Sequence, residues 1–425
     1  MIIDSYVVRK TTGAALWGIM TLVGLSGPAF AQTRGNNAAW CMSESVDPDL
    51  SIGACTALIQ SGQERADSLV NAYFNRGIAY ERKGAYDRAI QDYNEAIRLN
   101  QNDADAFNNR GKTYDKKGDL DRAIQDYNEA IRLNPNLAKA FFNRGSAYDD
   151  KGDYDRAIQD FDAAIRVNPK YADALNNRGL VYNHKGSYDR AIQDFDSAIH
   201  LNPNLADAFD NRGNAYDEKG DHDRAIQDFD TAIRLNPNDA DAFNNRGLAY
   251  DGKGAYDRAI QDYNEAIRLN PNLVDAFDNR GSAYDDKRDY DRAIQDYDEA
   301  IRLNPKKANA FNLRGVAYEH RGAYDRAIQD YKEAIRLNPN KADAFINRGN
   351  AYYNKGDYDG AIKDFDTAIC LNPNYGNAFY SRGNAYFNKG AYDRAIQDYN
   401  EAIRLNPNDA DAFHNRAIAY RKKGD

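Results

Sequence analysis

Asn108-Asn109-Arg110-Gly111, then Asp121-Arg122-Ala123-Ile124-Gln125-Asp126-Tyr127, then Leu133-Asn134-Pro135, decide the fold, because the set recurs with small changes down the chain. Its glycine returns at Gly77, Gly111, Gly145, Gly179, Gly213, Gly247, Gly281, Gly315, Gly349 and Gly383, always 34 residues apart. Its proline runs from Pro135 to Pro407 at the same interval. A fixed period of this length marks a repeat array. Ten full units fill residues 70–409, and an eleventh begins at Ala410 and stops at Asp425. Ala104 is position 1 of repeat 2, and the other repeats are numbered in the same phase.

Each unit reads as two helices. In residues 240–273 helix A carries Ala242, Phe243, Gly247, Ala249 and Tyr250, an apolar stripe at helical spacing. Gly254 ends it, as glycine does just past a helix C-terminus. Helix B carries Tyr256, Ala259, Ile260, Tyr263, Ala266 and Ile267. In sister units Asp119 or Asp153 follows the glycine and is placed to N-cap helix B, and proline such as Pro271 closes the unit. Gly247 and Ala259 let two helix backbones approach, while Tyr250 and Tyr263 fill the space beside them. One such pair cannot bury both of its faces, and stacked neighbours can, which predicts an all-α solenoid.

These residues resemble the tetratricopeptide family. Position 4 is aromatic (Phe107, Phe209, Phe243; Leu175 departs), 8 is Gly, 11 Tyr, 20 Ala, 24 Tyr or Phe, 27 Ala and 32 Pro. The sequence departs at position 7, where the family usually has Leu and every unit here has Arg, and at Arg288 and Gln101, which replace a Gly and a Pro. The resemblance implies a right-handed superhelix with the A helices lining a concave channel, and binding of peptides or partner proteins there.

The flanks read differently. Residues 1–31 have the form of a secretory signal peptide: Arg9 and Lys10, an apolar run from Ala14 to about Leu25, and Ala29 and Ala31 before Gln32. The run falls short of the ~20 residues a membrane-spanning helix needs. A periplasmic or secreted protein cleaved after Ala31 is expected, and export permits disulfides. Cys41 and Cys55, the two cysteines outside the repeats, read as a disulfide pair; the alternative is two unrelated small buried residues. A loop of that size stabilises by roughly 3 kcal/mol in the chain-entropy account. Cys370 stands where most units carry Arg and reads as drift. Residues 32–69 read as a degenerate half-repeat capping the array: Asp47-Pro48 starts a helix that Gly62 ends, and one period's step sets Cys55 in the place of the small Ala of position 20.

Composition narrows the function. The chain carries 56 Lys+Arg against 65 Asp+Glu, a net charge of -9, which disfavours a nucleic-acid or anionic-membrane surface. The five histidines, His184, His200, His222, His320 and His414, share no metal-ligand spacing, and Asp149-Asp150 and Asp285-Asp286 lack the frame of a calcium loop. Neither a phosphate loop nor a nucleophile elbow is written in the sequence. No cofactor, no metal and no enzyme activity are expected.

The arginine of position 7 occurs from Arg76 to Arg416, and Asp stands at position 23 of every complete unit. An unpaired buried charge is costly, so Arg on helix A and Asp on helix B are expected to pair, with arginines facing the channel as the alternative. The candidate binding surface is the remaining polar stripe of helix A, positions 2, 5, 6, 9, 12 and 13. Position 6 is Asn75, Asn109, Asn143, Asn177, Asn211, Asn245, Asn279, Asn347 and Asn415, interrupted by Leu313 and Ser381. A primary amide donates and accepts at once, which suits a peptide backbone. The row resembles the asparagine ladder in the repeats of transferases that add N-acetylglucosamine to proteins; a copied, harmless polar residue is the other reading. Standing opposite the Phe and Tyr stripe, Asn177, Asn211 and Asn245 are expected to be replaceable by Ala with thermal stability almost unchanged.

Positions 2 and 12 are mostly Asp or Glu until Tyr353 and Phe387 take position 12, beside Tyr380 at position 5. An acidic channel with an aromatic end is expected. Docking of acidic chaperone tails is disfavoured, since position 5 has no Lys or Arg and position 9 only Lys112. The functional expectation is a non-catalytic scaffold for extended, neutral-to-basic peptide segments. Two alternatives remain: an assembly protein that self-associates end to end, and a subunit that presents substrates to a separate enzyme.

Overall fold

A computed structural model describes residues 36–424 except 44 and 63; the signal-peptide reading of 1–31 lies outside the described residues. Among the described residues there are helices and no strand, and no helix is long and apolar enough to cross a membrane. Each repeat is an antiparallel pair such as Ala104–Lys116 with Leu120–Leu133, and the last helix is Ala410–Lys423. An A helix packs most extensively on its own B helix, then on the preceding B helix, and narrowly on the adjacent A helices. This nearest-neighbour scheme is the solenoid expected from the period. The chain divides into two compact units between Ala215 and Tyr216, inside the A helix of repeat 5.

The core of a repeat is a ring set against a backbone. Tyr263 is fully buried, and a Cβ on Gly247 would lie 2.6 Å from its Cε1. Position 8 is therefore glycine because the position 24 ring lies on the backbone of helix A. Helix A of repeat 6 ends at Gly252, and Gly254 beyond it takes φ +70°, the left-handed C′ geometry. Arg288 holds the same turn at φ 62°, among the described residues the one non-glycine with positive φ. Asp119 accepts from the backbone N–H of Arg122, an N-cap that Ala255 cannot supply.

The cap differs from the expected register. After α1, over 36–41, come α2 (Pro48–Gln60), capped by Asp47 with proline in its first turn, and α3 (Ala66–Arg82), the A helix of repeat 1. Other A helices of the complete repeats have 13 residues, whereas α3 has 17. The extra turn moves α2 back by four residues. Lys83 meets Asp49 where Lys117 meets Asp87, and Arg76 Nη1 donates to Thr56 at 2.9 Å where Arg110 Nη1 donates to Asn94 at 2.6 Å. Cys55 thus occupies the place of the central aromatic Tyr93, not of the small Ala89; Ser51 stands for Ala89. Cys55 is fully buried and bonded to Cys41, which fills space a ring fills elsewhere. Cys370 is free and exposed.

Candidate functional site

The arginines of position 7 are held by the B helices. Arg246 donates from Nε and Nη2 to the two carboxylate oxygens of Asp262 at 2.8 and 2.6 Å, and from Nη1 to Asp230 of the preceding B helix at 2.6 Å. The guanidinium also lies 5.4 Å from the ring centroid of Phe243. The carboxylate is buried and the arginine side chain is 19% exposed. The same fork joins Arg110 to Asp126, Arg280 to Asp296 and Arg382 to Asp398. These arginines are occupied with Asp on helix B, so the channel-facing alternative does not describe them. The Asp262 bond holds Arg246 in its charged form, well above the ordinary arginine range.

Two rows of polar side chains stitch neighbouring A helices, each joining residues 35 apart. In the first, position 6 reaches position 5 of the preceding repeat. Asn143 Nδ2 donates to Asn108 at 2.9 Å, Asn211 to Asn176 at 3.1 Å, Asn279 to Asn244 at 2.9 Å and Asn347 to Asn312 at 3.1 Å. Asn415 instead donates to the Tyr380 hydroxyl at 3.0 Å. Within a repeat, Asn108 and Asn176 donate to Asn109 and Asn177 at 3.3 Å. Asn75 and Asn109 are buried; Asn143, Asn177, Asn211, Asn245 and Asn279 are partly exposed. This corrects the expectation that the asparagines are replaceable: several spend their N–H groups on the adjacent helix and help fix the spacing of repeats. The position 5 asparagines escaped sequence reasoning. Their signal was present, since Asn108, Asn176, Asn244 and Asn312 recur every 68 residues.

In the second row, position 12 meets position 13 of the next repeat. Glu81 meets Lys116 at 3.0 Å, Asp285 meets His320 at 3.2 Å, and Glu319 accepts from Asn354 at 3.0 Å. Asp115 meets Asp150 and Asp251 meets Asp286, pairs of like charge. Burial first, and the second carboxylate next, push Asp115 and Asp251 up to about 6. The acidic stripe is also engaged in places: Lys307 bridges Asp275 and Asp278 at 2.6 and 2.5 Å, and the Tyr375 hydroxyl donates to Asp343 at 2.8 Å.

At the last repeats the acids give way to a cavity of about 360 Å³. Tyr353, Tyr380, Phe387, Tyr399 and Ile418 supply its apolar walls, and Asn384, Asn388 and Asn415 its polar ones. Asn388 donates to the Tyr353 hydroxyl at 2.7 Å, and Tyr399 donates to Asn384 Oδ1 at 2.8 Å. Tyr353 and Tyr380 rest on Tyr358 and Tyr399 with centroids 5.5 and 6.1 Å apart. Burial raises the Tyr353 phenol above the usual tyrosine range. The three aromatic residues singled out in the sequence thus meet in one concavity. Aromatic walls with a few convergent amides are the chemistry of a pocket for a side chain. Among the described residues no three His, Cys, Asp or Glu gather as a metal site.

Models described as "Tetratricopeptide repeat" match residues 104–137, 142–206, 211–273, 279–342 and 330–363. One described as "TPR repeat" matches 82–118, 349–390 and 383–424. No curated protein matches the chain. Among solved structures, a tetratricopeptide repeat protein from Parabacteroides merdae ATCC 43184 is 22% identical with a TM-score of 0.49, over 58% of this chain and 98% of that one. Yeast Tom70 is 17% identical with a TM-score of 0.45, over 84% and 96%. MamA is 31% identical with a TM-score of 0.35, over 37% and 93%.

Proposed function

The chain belongs to the tetratricopeptide-repeat family, and from that premise we propose that it is a non-catalytic scaffold that binds extended peptide segments along its A helices. The observation that carries this reading is the aromatic cavity of repeats 9–11, continuous with the A-helix face. A bulky apolar side chain of the ligand seats there, and the amides and acids of the face accept the neutral-to-basic remainder. An anchor in a pocket supplies most of the affinity, and surrounding contacts supply complementarity. The protein acts in the periplasm or outside the cell, released from its signal peptide after Ala31. The test is photo-crosslinking in the native host from Phe387 and from Arg404, exposed on the B helix of the same repeat. Adducts of partner peptides from Phe387 alone support the reading; equal labelling from both sites counts against it.

A further inference from the structure

The cavity of repeats 9–11 holds more hydrogen-bonding capacity than its own walls consume. It opens where the amide row changes partners: position 5 is Tyr380, and its hydroxyl accepts from Asn415 Nδ2 at 3.0 Å where Asn108 Oδ1 accepts from Asn143. Asn415 Nδ2 also donates to Asn384 Oδ1 at 3.0 Å, and that oxygen takes the buried Tyr399 hydroxyl at 2.8 Å as well. Asn388 Nδ2 is divided between the Tyr353 hydroxyl at 2.7 Å and the Asn384 backbone carbonyl at 3.0 Å. These bonds spend the N–H groups of Asn388 and Asn415 and leave the two side-chain oxygens open. They also leave the N–H groups of Asn384 open. In repeat 5 the equivalent Asn214 gives its N–H to Asp210 at 3.1 Å, but Tyr380 stands in that place here. The open atoms are not sealed in: among the described residues, the enclosed side-chain atoms without partners lie in other repeats. Nor does a charged side chain of the described residues line the cavity.

We propose that the bulky side chain seated in this cavity is a tyrosine of the bound segment, recognised by its hydroxyl as well as its ring. That identity rests on the scaffold reading. A charged head would lose water here and meet no counter-ion, which is costly. Leucine or phenylalanine fills the space and leaves the open amide atoms unmatched. An indole brings one N–H and no acceptor, so the N–H groups of Asn384 stay unmatched. A serine or threonine hydroxyl brings no ring to pack on Tyr380, Phe387 and Ile418. A phenol both donates and accepts: its O–H suits Asn388 or Asn415 Oδ1, and its oxygen suits Asn384 Nδ2. Its ring makes the offset or edge-to-face contacts that aromatic walls favour.

Crosslinking from Phe387 tests the scaffold; the phenol is tested apart from it. A blocked heptapeptide of glycine and serine with a central tyrosine is titrated against the full chain, beside the same peptide with phenylalanine or O-methyltyrosine at the centre. The tyrosine peptide is expected to bind at least about tenfold tighter than either, because each analogue leaves an open amide atom unmatched. The double variant Asn388→Ala/Asn415→Ala lacks both open oxygens and is expected to erase the difference. Equal affinities in wild type, or a preference that survives in the folded double variant, overturn the phenol site and leave the scaffold standing. Should the double variant fail to fold, the O-methyltyrosine comparison in wild type decides alone. If none of the peptides binds, p-cresol and toluene become the probes, read by the Ile418 methyl resonance. A shift with p-cresol at concentrations where toluene gives none upholds the site; no shift, or equal shifts, overturns it. A shift with p-cresol in a protein that yields no partner adducts from Phe387 keeps the pocket and rejects the scaffold.

Discussion

Arg246 and Asp262 face each other through two parallel hydrogen bonds of 2.8 and 2.6 Å, joining helix A to helix B inside one repeat, while Nη1 of the same arginine reaches Asp230 of the preceding repeat. One guanidinium therefore ties a repeat both to itself and to its neighbour. Asp262→Ala strands this buried charge and should destabilise repeat 6 by about 3–5 kcal/mol. Because a solenoid opens locally, amide exchange in the two helices of repeat 6 is the measurement, with repeats near the ends as internal reference.

Asn211→Ala removes the donor to Asn176 Oδ1 and should cost about 1 kcal/mol. In a double-mutant cycle with Asn176→Ala, the coupling energy reads the bond itself. Additive effects would mean that the amide row does not hold the helices together.

Arg288 pays for its left-handed conformation, φ 62°, in a turn that glycine fills elsewhere. Arg288→Gly should stabilise repeat 7 by about 1 kcal/mol. Its side chain makes no hydrogen bond or ion pair that offsets this, and denaturant unfolding of the two proteins measures the gain.

The Asp251 carboxyl is raised to about 6, by burial first and by Asp286 second. An acid with a raised folded pKa binds its proton more tightly in the folded than in the unfolded state. Its stabilising contribution is complete below the unfolded value, about 4, and is lost as pH rises through about 6. Asp251→Asn should therefore raise Tm at pH 8 and leave it unchanged near pH 3. Asp286 and Tyr263 are the titratable groups that interact with Asp251.

The fold was legible because a 34-residue period states both helices, the close-approach glycine and the terminating turn many times over. The Arg–Asp fork was legible too, since charge at an apolar position of a helix demands a partner. The Tyr353, Tyr380 and Phe387 wall was visible as aromatic residues on a polar stripe. What each asparagine does was not, because it depends on how far one A helix stands from the next. That spacing makes partners of residues 35 apart, a relation that a 34-residue period hides. The four-residue displacement of α2 escaped for a similar reason. An extra turn in α3 leaves composition unchanged and shows only in which residues meet.

The proposed binding of extended segments to the A-helix face turns on an anchor in the cavity of repeats 9–11. Its most direct test is calorimetric titration of a peptide partner, obtained by crosslinking from Phe387, against wild type and the variant Tyr380→Ser/Phe387→Ser. Both rings are partly exposed, so the substitutions spare the fully buried Tyr399 beneath them and should leave most of the thermal stability intact. A rise in Kd of at least tenfold is expected, since losing an aromatic anchor costs about 2 kcal/mol or more. Unchanged affinity in the folded double variant would contradict it.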